Sequence, residues 1–176
     1  CDHLVRDDAG QPVALTEIEL PDDNRTVGAF VGAEPMLDFA VLQMARRLPA
    51  PPPALDLADS DHVEIGHWVI ALGDPPGPEK SFAVGVIASA PQRQCYQAEL
   101  SATRLQSSLV VAPGALGGPV VDIQGQVLGV SVEQKQEPGA PPATSILPIN
   151  LVLTLLEALK VAQSQRSPWI GVSVLE

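Results

Sequence analysis

Short apolar runs separated by turn residues recur along the whole chain. Runs rich in valine, isoleucine, leucine and aromatic residues are typical of β-strands. The pattern predicts strands at residues 39–42, 68–72, 82–87, 109–111, 120–123 and 127–132. The last two runs flank Gln124 and Gly125, so they are predicted to form a hairpin with a two-residue turn. Strands that start about ten residues apart, with almost no helix between them, favour a β-barrel or a β-sandwich.

Two segments depart from this pattern. Residues 48–53 contain four prolines, which exclude a helix or a central strand and predict an extended linker. At residues 149–162, leucine and alanine recur along one face at helical spacing, and Asn150 stands where an N-cap is expected. This segment is predicted to be an amphipathic helix.

Composition and charge exclude several classes of protein. A chain of 176 residues is long enough to bury one domain core, and 45% hydrophobic against 18% charged residues do not describe a disordered tail. The net charge of −11 has the wrong sign for attracting phosphate groups. We therefore expect neither nucleic acid nor an anionic membrane surface as a partner, and no membrane contact from this segment.

The cysteines and histidines leave alternatives open. Cys1 and Cys95 lack the spacing of a metal site, and the sequence does not decide whether they pair. His62 and His67 are either a metal-ligand pair or two surface residues, and their spacing favours the surface. We expect no metal and no cofactor. Because the chain opens with Cys1 and not with methionine, we expect it to be a piece of a longer protein.

The segment with the clearest chemical signature reads P-G-A-L-G-G-P, at residues 113–119. Its three closely spaced glycines favour a loop with positive φ angles that presents successive backbone N–H groups inward. Taken alone, however, the segment is better explained as a tight connection between two strands.

Together with its surroundings, this segment resembles the nucleophile loop of trypsin-fold serine proteases of the HtrA/DegP group, which reads P-G-N-S-G-G-P. Four other segments are similar to that family's motifs. They are residues 1–5 (CDHLV; T-N-A-H-V-V), 37–42 (LDFAVL; D-L-A-V-L), 59–75 (S-D-x-x-x-x-G-x-W-V-x-A-I-G-N-P) and 84–89 (G-I-V-S). Residues 145–174 resemble the family's A-I-P, its terminal helix and the opening of a PDZ domain.

The resemblance implies an all-β fold, namely a trypsin-like double antiparallel β-barrel with an incomplete first barrel and a C-terminal helix. The expected domain organisation follows the chain in order. It comprises the remainder of the N-terminal barrel (1–48), the Pro-rich linker (49–60), a six-stranded C-terminal barrel (61–148), the helix (149–163) and the start of a PDZ domain (168–176). The strands missing from the first barrel are expected upstream of Cys1.

The resemblance also implies a degenerate catalytic triad. His3 and Asp38 fall on the histidine and aspartate positions and are expected within hydrogen-bond reach of each other. The nucleophile position holds Leu116, which has neither a nucleophilic atom nor an acidic proton. Ala115 stands where the family usually has asparagine, and the leucine, being larger than serine, is expected to protrude towards the substrate carbonyl.

The resemblance also implies an oxyanion hole made of backbone N–H groups and a primary substrate pocket lined by valines. The oxyanion hole would be formed by the N–H groups of Gly114 and Leu116, which survive a side-chain change. The primary substrate pocket would have Val110 at its base and Val130 on its wall, so it is expected to accept an apolar side chain.

These features predict an inactive pseudoprotease that binds peptides or unfolded protein segments, or that serves as a scaffold for partners. Two alternatives stay open: an active HtrA-like serine endopeptidase of extracytoplasmic protein quality control in which position 116 has been altered, and a structural domain within a homo-oligomer. The resemblance alone implies a trimer and a periplasmic or extracytoplasmic location.

Overall fold

The structure is a computed structural model. It describes residues 5–7, 9–20, 25–45, 48, 53–74, 80–96, 100–112, 114–136, 138–139 and 141–165, with the backbone alone described for residues 90–96, 100–103 and 163–165. His3, Cys1 and the expected PDZ segment at 168–176 lie outside the described residues, so the predictions made for them stay predictions.

The N-terminal part of the chain forms a three-stranded antiparallel sheet. Its strands are β1 (Leu15–Glu19), β2 (Arg25–Glu34) and β3 (Phe39–Met44), in the order β1-β2-β3. A 3-10 helical turn, Pro35–Leu37, joins β2 to β3. Asp38 follows this turn in a left-handed conformation with φ 54°, and its N–H donates to the carbonyl oxygen of Pro35 at 3.1 Å.

The following strands close into a six-stranded antiparallel barrel. They are β4 (Trp68–Gly73), β5 (Ser81–Tyr96), β6 (Leu100–Ser107), β7 (Pro119–Val121), β8 (Val127–Lys135) and β9 (Ala143–Pro148). Their order around the barrel is β4-β5-β6-β9-β8-β7. Before β4, a second 3-10 turn spans Ser60–His62. The all-β fold class, with one closed barrel, one partial sheet and a C-terminal helix, is therefore confirmed.

The barrel encloses its own core. Because side chains alternate between the faces of a strand, Val69 and Ala71 of β4 point inward while Trp68 and Leu72 are exposed. The inward side chains meet those of the other strands, and the most deeply buried members are Val69, Ile87, Leu105, Leu109, Val120 and Ile146. Burying each such side chain stabilises the fold by about 1.5–3 kcal/mol.

Helix α1 (Ile149–Gln165) packs where the barrel and the N-terminal sheet meet. Its Leu151, Val152 and Leu155 contact a buried cluster formed by Leu37, Val132 and Leu147. Further along, the side chain of Leu159 reaches β2, where a Cβ atom on Gly32 would lie 3.0 Å from its Cδ2 atom. The helix therefore links the two sheets.

Asn150 does not cap this helix as expected, because the helix begins one residue earlier. Its backbone N–H donates instead to Ser60 Oγ at 3.1 Å, and its Nδ2 donates to Asp59 Oδ1 at 2.8 Å. The acceptors for these hydrogen-bond donors in the first turn of the helix are thus side chains some 90 residues away in the sequence.

The predicted strand at 109–111 is wrong, since residues 108–112 are irregular. Side chains of neighbouring strands provide its hydrogen bonds: Thr144 Oγ1 donates to the carbonyl oxygen of Leu109 at 2.8 Å, and Gln134 Oε1 accepts from the N–H of Val111 at 2.8 Å. The segment is apolar because Leu109 lies in the barrel core, fully buried, without belonging to a strand.

The predicted two-residue hairpin turn is also wrong. The N–H of Asp122 donates to the carbonyl oxygen of Gln126 at 2.9 Å, which leaves a three-residue loop. Within it, Gly125 takes a φ of 82°, and the N–H of Gly125 donates to the carbonyl oxygen of Asp122 at 3.1 Å. Asp122 Oδ1 accepts from the N–H groups of Gln124 and Gln126, both at 2.9 Å, so an aspartate side chain closes the longer loop.

Candidate functional site

The glycine-rich loop lies between the irregular segment and β7 and is bound to β8. Gly117 N–H donates to the carbonyl oxygen of Ser131 at 2.7 Å. In return, both the N–H and the Oγ of Ser131 donate to the carbonyl oxygen of Gly118, at 3.1 Å and 3.2 Å. Three hydrogen bonds to one residue of β8 hold the second half of the loop against the barrel.

The loop requires glycine because it approaches β4 closely and turns sharply. A Cβ atom on Gly118 would lie 2.1 Å from the carbonyl oxygen of Leu72, and a Cβ atom on Gly73 would lie 2.3 Å from the Cβ of Ala115. Gly114 has a φ of 82°, which other residues rarely adopt. Glycine is therefore required at these positions by the close packing and sharp turn of the loop.

Leu116 occupies the centre of this loop. Its side chain is half-buried and packs against the barrel core; the expected protrusion towards a substrate carbonyl stays a prediction. No atom of this side chain can act as a nucleophile. Within the part of the chain that the structure describes, the backbone N–H groups of Gly114 and Leu116, predicted to form the oxyanion hole, have no hydrogen-bond acceptor.

A cleft of about 690 Å³ opens beside the loop, at the end of β4. Its walls come from β4, the start of β5 and the loop itself: Leu72, Gly73, Asp74, Lys80, Ser81, Gly114, Ala115, Leu116, Gly118 and Pro119. Asp74 and Lys80 form an exposed ion pair at its rim. The cleft is of the size that small ligands and peptide side chains fill.

Asp38 lies in the N-terminal sheet region, directly after the turn that joins β2 to β3. The preceding residue, Leu37, is fully buried among side chains of the barrel and of α1. The carbonyl oxygen of Met36 accepts a hydrogen bond from Arg104 Nη2 at 3.0 Å. Because His3 lies outside the described residues, the expected contact between His3 and Asp38 stays a prediction.

The two valines predicted for the primary pocket lie apart from the cleft beside Leu116. Val110 is 54% exposed within the irregular segment, and Val130 of β8 is half-buried and pairs with Pro119. Neither contributes to the walls of that cleft. Their assignment to a primary pocket stays a prediction.

His62 and His67 line a second cavity, of about 590 Å³, near the start of β4. His62 Nδ1 lies 2.9 Å from Asp59 Oδ2, and His67 Nδ1 accepts from the N–H of Glu64 at 3.3 Å. The hydrogen bond from Asn150 is the main reason that the pKa of Asp59 lies below its ordinary value, followed by the N–H of Asp61. Among the described residues, no three His, Cys, Asp or Glu side chains are grouped so that they could hold a metal ion.

Comparison with known proteins agrees with this fold. A family model, described as a trypsin-like peptidase domain, matches residues 1–130. A probable periplasmic serine endoprotease, DegP-like, from Chlamydia trachomatis is 34% identical over 130 residues, which are 73% of this chain and 24% of that protein. The chain belongs to the trypsin-like peptidase family and is an HtrA-type domain.

Other relatives extend the match over more of this HtrA-type domain. A protein of the same description from Hahella chejuensis is 27% identical over 161 residues, covering 90% of this chain and 33% of that protein. The chain therefore spans about a quarter to a third of the length of these relatives. Their names agree with the periplasmic or extracytoplasmic location expected from the sequence.

Solved structures of an HtrA-type protease show the same fold. AlgW with a decapeptide has a TM-score of 0.67 at 24% identity, covering 82% of this chain and 44% of that one. An AlgW variant with a decapeptide has a TM-score of 0.71 at 25% identity, covering 95% of this chain and 49% of that one. No helix among the described residues is long and apolar enough to cross a membrane.

Several residues that organise the site were missed from the sequence. Arg104 contacts the turn before Asp38, and Gln134 and Thr144 hold the segment that leads into the glycine loop. Each is a polar residue on a barrel strand whose partner lies at least ten positions away. Periodicity and motif spacing carry no signal for such contacts.

Proposed function

We propose that this HtrA-type domain is a pseudoprotease that binds peptides or unfolded protein segments in the cleft beside Leu116. The observation that carries the proposal is that the loop keeps its glycines and its contacts with β4 and β8 while its central side chain is leucine. The backbone of a nucleophile loop is retained, and the nucleophile is not.

The chemistry of acyl transfer explains why this combination favours binding over hydrolysis. In a trypsin-fold protease, a histidine removes the proton from the serine hydroxyl, whose oxygen attacks the peptide carbonyl. Leu116 offers no oxygen to attack, so no acyl-enzyme forms. In enzymes whose triad has been removed, backbone donors and binding alone accelerate hydrolysis by about a thousand- to ten-thousandfold over water.

The donors that remain can still bind a peptide. Gly114 and Leu116 both line the cleft, and their N–H groups have no acceptor among the described residues. A peptide carbonyl oxygen or a terminal carboxylate placed there would accept hydrogen bonds from both. The decapeptide complexes named for AlgW add support, since they are complexes of a protein with the same fold.

An active serine endopeptidase is the second candidate, because the curated relatives are named serine endoproteases. It requires a serine at position 116 in place of the leucine. A homo-oligomer, with the trimer implied by the resemblance, belongs to either candidate and stays a proposal.

The two candidates differ in their reaction with a fluorophosphonate probe, which labels an activated serine. We expect the protein to remain unlabelled and casein to remain intact, because no hydroxyl group stands at the centre of the loop. Leu116→Ser alone should recover little labelling, since Ala115 also departs from the family pattern. Labelling of the unaltered protein at any residue of this chain would contradict the pseudoprotease proposal.

Binding is tested with fluorescent decapeptides that carry either an apolar or a basic residue at one anchoring position. We expect the apolar series to bind more tightly if Val110 and Val130 form the primary pocket. Leu116→Glu should weaken binding about tenfold or more, equivalent to about 1.4 kcal/mol, because its carboxylate competes for the two N–H donors. The matched control is Leu15→Glu on exposed β1, and an equal loss in both variants would argue against the cleft.

A further inference from the structure

A single buried arginine connects three separate parts of the fold. Arg104 stands on β6, and its side chain is 6% exposed. Its Nη1 lies 3.1 Å from Glu133 Oε2 on β8, and its Nη2 donates to the carbonyl oxygen of Met36 at 3.0 Å. Met36 belongs to the 3-10 turn of the N-terminal sheet, so the guanidinium group reaches from the barrel to the other sheet.

The shape of the guanidinium group makes this double contact feasible. Its donors are fixed in a planar fork, so one group can face a carboxylate and a carbonyl oxygen at the same time. A buried cation is costly unless it is paired and hydrogen-bonded, and Glu133 supplies the opposite charge. Lys135 Nζ lies 3.7 Å from the same carboxylate oxygen, which leaves Glu133 facing two cations.

The turn that Arg104 contacts is the one that ends at Asp38. Met36 is two residues before Asp38, and the intervening Leu37 is buried against Val132 and Leu147 of the barrel. Asp38 itself has the left-handed φ of 54°, a conformation that persists where the surroundings hold it. An apolar contact at Leu37 and a polar contact at Met36 therefore fix the turn against the barrel.

We propose that Arg104 is a positioning residue that sets where the turn at residues 35–38, and with it Asp38, lies relative to the barrel and its glycine loop. This structural role rests on the hydrogen bond to Met36 and does not depend on what the cleft binds. The consequence for ligand binding in the cleft rests on the proposed function.

The test compares Arg104→Met and Arg104→Lys with the unaltered protein by NMR, following amide hydrogen exchange. In Arg104→Met we expect the amides of residues 36–38 to exchange about ten- to a hundredfold faster, the range for a lost hydrogen bond to a charged group. Arg104→Lys keeps the positive charge next to Glu133 but lacks the planar fork of donors. We therefore expect it to be thermally more stable than Arg104→Met, while the amides of residues 36–38 still exchange fast.

The matched control is Val69→Ala, which creates a cavity in the barrel core and touches no part of the turn. It should lower stability with exchange rising throughout the barrel and without a particular effect at residues 36–38. The proposal is overturned if Val69→Ala and Arg104→Met give the same exchange pattern, or if Arg104→Lys restores protection at the turn.

A binding measurement tests the role of Arg104 separately from the proposed peptide binding in the cleft. If the unaltered protein binds the decapeptides, Arg104→Met should weaken that binding more than Val69→Ala does. If the unaltered protein binds none of them, the pseudoprotease proposal fails, and the exchange pattern alone decides the role of Arg104.

Discussion

The barrel and the N-terminal sheet obtain their stability in different ways. In the barrel, every strand has two neighbours, and the side chains of Val69, Leu109 and Ile146 are fully buried. In the sheet, β1 has a single described neighbour, and among the residues of β1–β3 only the side chain of Val31 is buried. A closed barrel encloses a core by itself, whereas three strands need another element to cover their apolar face.

The cover for the sheet comes from outside it. Leu37 is buried against the barrel and α1, and Leu159 of α1 approaches Gly32 of β2. The two regions carry different parts of the predicted triad, since Leu116 belongs to the glycine loop of the barrel and Asp38 to the sheet. The barrel should therefore tolerate loss of contacts with the sheet better than the sheet tolerates loss of contacts with the barrel.

The largest effect is expected from a cavity in the barrel. Leu105 is 1% exposed within the core, so Leu105→Ala should lower the free energy of unfolding by about 2–5 kcal/mol. Because the sheet relies on the barrel, both regions should unfold together in a thermal melt followed by circular dichroism and by NMR. A sheet that stayed folded while the barrel melted would contradict the comparison.

A smaller and more local effect is expected at the junction. Leu37→Ala removes the apolar anchor of the turn and should cost about 2–3 kcal/mol. Hydrogen exchange should rise mainly in β1–β3, with the barrel strands still protected. Met44→Ala, at an exposed position of the same sheet, serves as the control, and an equal change in both variants would argue against Leu37 as the anchor.

The start of α1 offers a third test, because an N–H group of its first turn donates to a side chain of the segment before the barrel. Ser60→Ala removes the acceptor of the Asn150 N–H group, and we expect a loss of about 1 kcal/mol, as for other helix caps. Urea denaturation measures it. Thr154→Ala, which removes an exposed hydroxyl from the same helix, should change stability by less than about 0.5 kcal/mol.

The smallest effect concerns pH at the same contact. The pKa of Asp59 lies below its ordinary value, chiefly because Asn150 donates to the carboxylate. Asp59 therefore stabilises the fold above its ordinary pKa of 3.8, and this contribution is lost as the pH falls through the lowered value. Asn150→Ala should move the pKa of Asp59 back up in an NMR titration, while Thr154→Ala should leave it unchanged.

Much of the architecture was predictable because it depends on patterns of neighbouring residues in the sequence. Short apolar runs bounded by turn residues located β3, β4, β5 and β8, and helical spacing located α1, because both are patterns of neighbouring residues in the sequence. The glycines at 114 and 118 likewise predicted a sharp, closely packed loop, because the need for glycine is a property of the local backbone. The absence of a nucleophile at position 116 is likewise visible in a single letter of the sequence.

Which distant side chains complete these elements depends on how the strands and the helix pack in three dimensions. Residues 109–111 look like a strand, yet Thr144 and Gln134 take the place of strand neighbours. Asn150 looks like a cap, yet the cap is Ser60. Arg104 reaches Met36 across 68 positions of the chain. Such contacts satisfy buried polar groups wherever folding brings a donor and an acceptor together, so their partners depend on strand order and packing and leave no spacing in the sequence.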